Sequence, residues 1–90
     1  MPVVKHQQLY EEFLEEVTLA EKLGYDSVWL SEHHFESQGY CPSILVAAGA
    51  AAARTDKVKI GTGALILPLH DPIRVAEDAA VADLFSGGRM

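Results

Sequence analysis

The sequence predicts an α/β fold in which short buried strands run parallel and alternate with helices. Three observations carry this. Apolar residues recur at three- and four-residue intervals over residues 9–23, two short apolar runs lacking that period follow, and each is succeeded by a helix-favouring stretch. Strands and helices alternating at such intervals imply βα units and a parallel sheet.

The first element is an amphipathic helix from about Gln7 to Leu23. Leu9, Tyr10, Phe13, Leu14, Val17, Ala20 and Leu23 form its apolar face between Glu11, Glu12, Glu15, Glu16, Glu21 and Lys22, and Gly24 ends it as a left-handed cap. Asp26 to Ser31 then reads as a buried strand, with Tyr25 and Trp29 expected in the core. Glu32 to Gln38 turns polar, and Gly39-Tyr40-Cys41-Pro42 reads as loop. Pro42 and a capping Ser43 open an alanine-rich helix from Ile44 to Arg54, closed by Thr55-Asp56.

Val58, Ile60 and Ala64 to Leu67 suggest a second strand broken by Gly61 and Gly63. Glycine within a strand points to a bulge or to close approach by another group. His70-Asp71-Pro72 starts the third helix, with Asp71 as N-cap and Pro72 in its first turn. Ile73, Ala76, Ala79, Ala80 and Leu84 form the expected apolar face, and Ser86-Gly87-Gly88 the stop. Two such strands are apolar on both faces and need neighbours on both sides. The 90 residues are therefore expected to be one fragment, 1–90, of a larger domain.

Composition narrows the function. Net charge is -6 with no Lys or Arg cluster, which argues against nucleic-acid or anionic-membrane partners. Cys41 is the only cysteine, so no internal disulfide forms and a cytoplasmic location is expected. The N-terminal residues lack the apolar core of a signal peptide. The longest apolar stretch, Ile44 to Ala53, is about half the ~20 residues of a membrane span.

In parallel α/β architectures, ligands bind beyond the carboxyl ends of strands. Two segments lie there, Glu32-His33-His34-Phe35 and Leu67-Pro68-Leu69-His70-Asp71-Pro72. Adjacent histidines in an extended segment point to opposite sides, so one of His33 and His34 faces a ligand. That geometry suits a single metal ion poorly, and no metal site is expected. Both imidazoles could instead bond loop carbonyls. Glu32 could be a cap, an ion-pair partner, or the group orienting a histidine tautomer. Gly61-Thr62-Gly63 lacks the third glycine of a dinucleotide fingerprint. Arg74 and Arg89 read as exposed arginines without a specific task, and Cys41 as an inert thiol.

Trp29-Leu30-Ser31-Glu32-His33-His34-Phe35 resembles the bacterial luciferase-like flavin-dependent monooxygenase family. The likeness continues in order through Ala47 to Thr55, Val58 to Thr62, Leu67 to Glu77 and Asp83 to Arg89, with Phe85 where leucine is commoner. The resemblance implies a partial (β/α)8 TIM barrel, this chain supplying strands two and three with three helices. A whole barrel needs about 250 residues, so the isolated chain is expected to be inactive.

The resemblance also implies reduced FMN supplied by a flavin reductase, oxygen, and a small organic substrate. His33 matches the family's active-site histidine, with Glu32 beside it as a second catalytic candidate. Gly63-Ala64 matches a non-proline cis peptide beneath the flavin ring, so His33, Gly63 and Ala64 are the expected cofactor-binding residues. Two alternatives are a non-catalytic flavin-binding protein, whose relatives tend to lack the first histidine, and an F420-dependent oxidoreductase, which more often carries an Asp-His pair here. Exposed strand edges are expected to drive homo-oligomerisation.

Overall fold

The structure is a computed structural model and describes residues 3–35 and 41–90. The element order is α1 (Val3–Lys22), β1 (Ser27–Leu30), α2 (Ile44–Arg54), β2 (Lys59–Thr62), a 3-10 turn (Leu67–Leu69) and α3 (Pro72–Ser86). β1 and β2 pair in parallel, with Val28 opposite Ile60, Trp29 opposite Gly61 and Leu30 opposite Thr62. α2, buried along one face, lies against both strands and both other helices.

The strand alternation sorts side chains onto two faces. Leu30 and Ile60 are buried beneath α2 with Ile44, Ala47, Ala48, Ala51 and Ala52, and Val28 packs against the same core. Val17 completes it from α1. Trp29 and Lys59 alternate to the other face, which carries no helix, and Trp29 is 69% exposed. Tyr25 is exposed as well. Neither aromatic is the core residue that composition suggested. Trp29 fails that expectation because its neighbours Val28 and Leu30 already occupy the helix side.

α1 begins at Val3, a turn before the expected start at Gln7. The Gln7 and Gln8 amides donate to Glu11 and Glu12 one turn on, at 3.3 and 3.1 Å, and support the helix where packing does not. It ends as expected. Gly24 has φ 87°, and Tyr25 N–H reaches back to Ala20 O at 3.1 Å. Asp71 caps α3 by accepting from Ile73 N–H at 2.8 Å. Ser43 makes no capping side-chain bond.

Two expectations fail at the second strand and third helix. β2 stops at Thr62, and Ala64 to Leu67 are not strand. The ladder ends where Gly63 N–H donates to Leu30 O at 2.7 Å, at the end of β1. On α3 the inward residues are Val75, Ala79, Ala82 and Ser86, while Ile73 and Leu84 are exposed. The spacing of four, three and four is helical, but small side chains form the face because α2 presents alanines to it.

Two polar anchors fix the start of β2. Glu21 accepts from the N–H groups of Asp56, Lys57 and Val58, at 2.7 to 3.1 Å, tying α1 to the turn before β2. Arg89 is half-buried, contrary to its reading as an exposed residue. Its guanidinium donates to Ala52 O, Thr55 O, Thr55 Oγ1, Val58 O and Ser86 O. Beside it, Ile60 N–H donates to Arg89 O at 2.9 Å, so the end of the chain runs along the free edge of β2. Among the described residues, no helix is long and apolar enough to cross a membrane.

Candidate active site

β1 runs directly into the segment Ser31 to His34, whose residues are neither helix nor strand. Glu32 and His34 fall on one side of it, in phase with Leu30, and Ser31 and His33 on the other, in phase with Trp29. Glu32 is buried and His33 exposed. His33 N–H donates to Cys41 O at 2.9 Å, fixing the backbone at that position. The Tyr10 phenol is pushed up to about 12 by burial and by the neighbouring Cys41 thiol.

The segment after β2 meets this one through a single carboxylate. Glu32 Oε2 lies 2.6 Å from His34 Nε2, and Glu32 Oε1 lies 2.8 Å from His70 Nε2 and 3.4 Å from Ile66 N. The Glu32 side chain is 0% exposed. Burial alone pushes this carboxyl up. The bonds from His34, His70 and the Ile66 N–H outweigh it and hold Glu32 below the usual carboxylate range. Glu32 is therefore an ion enclosed between two imidazoles, which suits it to orient them.

Gly63 and Ala64 lie where β2 ends, both exposed, and the peptide bond between them is cis. Beside them the Trp29 indole covers Gly61, its register partner. A Cβ at Gly61 would come within 2.6 Å of the ring, so glycine is what lets the indole lie against the strand. The close approach anticipated from a strand glycine is thus made by Trp29. At Gly63 an added Cβ would stand 3.7 Å from the ring. The indole donates to Ser27 Oγ at 2.9 Å, which steadies it.

The structure therefore brings Glu32, His34 and His70 together and sets His33, Trp29, Gly63 and Ala64 on the side away from the helices. The Glu32–His70 pairing was beyond sequence reasoning, since 38 residues separate the two. Their shared position after a strand was the one available signal. The role of Trp29 was legible in principle from its alternation with Val28 and Leu30. Among the described residues, no three or more His, Cys, Asp or Glu side chains converge as metal ligands would.

Parallel strands alternating with helices, with polar groups beyond their carboxyl ends, fit part of a (β/α)8 barrel. The chain belongs to the luciferase-like monooxygenase family, whose model matches residues 2–90. It is 33% identical over 84 residues to the oxygenase component of flavin-dependent trigonelline monooxygenase from Acinetobacter baylyi, covering 93% of this chain and 23% of that protein. It is 40% identical over 72 residues to the alkanal monooxygenase alpha chain of Photorhabdus laumondii, covering 80% of this chain and 20% of that one.

Among solved structures, it resembles the oxygenating constituent of 3,6-diketocamphane monooxygenase from Pseudomonas putida, a type II Baeyer-Villiger monooxygenase in complex with FMN. The TM-score is 0.84 at 25% identity, over 92% of this chain and 23% of that one. The chain thus spans between 20% and 23% of the length of these relatives.

Proposed function

We propose that this chain forms strands two and three of a flavin-dependent monooxygenase barrel, in which His33, Gly63 and Ala64 face reduced FMN. The observation that carries the reading is the placement of His33 and Gly63-Ala64 at the ends of paired strands, on the exposed side away from α2. The residues fit a flat aromatic group. An exposed indole lies against Gly61, and the glycine beside it leaves the adjoining surface open. The FMN complex of the diketocamphane enzyme and the flavin-dependent trigonelline enzyme support the choice of cofactor.

When bound, reduced FMN supplies the electrons with which one oxygen atom of O2 enters the substrate and the other leaves as water. The chain contributes orientation and proton handling. His33 holds or moves a proton at its exposed imidazole, Trp29 and Gly63-Ala64 support the ring, and Glu32 lies behind them. The substrate is a small organic molecule, and a flavin reductase delivers the reduced cofactor. The resemblance implies that contacts to the flavin phosphate come mainly from later strands of the barrel, so the 90-residue chain alone is expected neither to hold FMN stoichiometrically nor to turn over. The free edge of β1 favours self-association of the isolated chain, a further part of this proposal.

Replacing His33 by alanine in the intact barrel protein tests the reading. Loss of a positioned proton-transfer group costs about 10²–10⁴-fold in turnover. The expected result is a fall of that order in kcat with flavin affinity little changed. Turnover equal to the parent enzyme would remove His33 from the chemistry.

A further inference from the structure

We infer that Glu32 is a positioning residue: one buried carboxylate that ties the loops following β1 and β2 into a single rim and fixes the ring orientation of both His34 and His70. The inference rests on the proposed function only for what the rim then does, namely to hold His33 facing the site.

Geometry carries it. An ionised carboxylate only accepts hydrogen bonds, so two imidazole nitrogens at 2.6 and 2.8 Å must both donate to it. Each histidine therefore bears its proton on Nε2 in this arrangement. His34 and His70 retain partly exposed side chains, at 29% and 26%, while the Glu32 side chain is enclosed. Glu32 is thus shielded from substrate and reaches the site only through its partners. Ile66 N–H, 3.4 Å from Oε1, adds a backbone contact from the second loop.

The consequence falls on His33 and on α3. His33 sits between Glu32 and His34, so a bond joining those two fixes the segment on both sides of it. His70 immediately precedes Asp71, the N-cap of α3. One carboxylate consequently links the orientation of His33 to the entry of the third helix. No atom of the substrate or cofactor need touch Glu32 for this to matter.

The test uses the intact barrel protein with ring-15N-labelled histidine, in parallel with steady-state kinetics. In the parent protein, the Nε2–H protons of His34 and His70 should exchange with solvent about tenfold or more slower than an unprotected ring N–H. Glu32→Gln offers one acceptor oxygen and turns its amide N–H groups toward the other imidazole, so one protected proton should be lost. In that variant kcat should fall about tenfold or more with KM within about threefold, as expected for misplacement of a catalytic group.

His70→Gln, which keeps an N–H donor near the Nε2 position, should recover most of the activity that His70→Leu loses. Rapid exchange of both ring protons in the parent protein would overturn the inference without reliance on any variant. So would parental kcat in Glu32→Gln where His33→Ala has lost activity. If the ring protons are protected yet His33→Ala is fully active, the functional reading fails and the role of Glu32 in joining the loops stands.

Discussion

Arg89 places a planar guanidinium at the end of α2, where it donates to Thr55 O and to Ala52 O, which also accepts from Thr55 N–H at 3.4 Å. Its Nη1 also reaches Thr55 Oγ1 at 2.8 Å, and that hydroxyl donates to Ala51 O at 2.8 Å. One side chain thus joins the end of α2, the start of β2 and the end of α3. Replacing Arg89 by alanine leaves several half-buried carbonyls unpaired, and the expected loss of stability is about 2–4 kcal/mol. Lysine should rescue little of it, because an ammonium cannot reproduce the fork. Urea unfolding of the three proteins measures the difference. The sequence showed an arginine after two glycines and nothing of this, since all its acceptors but Ser86 O lie 31 to 37 residues away.

At the scale of elements, Glu21 does for α1 what Arg89 does for α2. The N–H groups of Lys57 and Val58, together with that of Asp56 against the opposing effect of burial, hold its carboxyl below the usual range. A lowered carboxyl stabilises the fold above its ordinary value of 4.5, and that contribution disappears as pH falls through the folded value. Glu21→Gln should accordingly lower the urea midpoint at neutral pH, with the gap to the parent closing below pH 4.5. A gap that persisted in acid would assign the effect to packing instead.

The existence of α1, β1, α2 and α3 was legible because helical and strand periods differ clearly. The length of β2 was not, because Ala64 to Leu67 are apolar enough for a strand while the hydrogen bonds that end the ladder come from β1. The inward face of α3 was partly hidden for a related reason. Ile73 and Leu84 dominate the apolar pattern and are exposed, whereas Ala79 was read correctly and the small Ala82 and Ser86 complete the buried face.

For the whole molecule, the two faces of the sheet set the organisation. The helices bury one face, and the other carries Trp29 over Gly61 with His33 and Gly63-Ala64 at its end. In a closed barrel that second face is the interior, which explains an exposed tryptophan in a strand. The placement of both polar segments directly after strands was legible, and the candidate site rests on it. Its internal bonding was not, because a carboxylate shared by two distant histidines has no signature in spacing.

The most direct measurement is a crystal structure of the intact barrel protein with FMN bound. The account predicts the flavin ring beside Gly63-Ala64 and Trp29, with the His33 imidazole turned toward it and Glu32 still held between His34 and His70. A flavin bound away from the ends of β1 and β2, or a His33 ring turned from it toward the helices, would contradict the account.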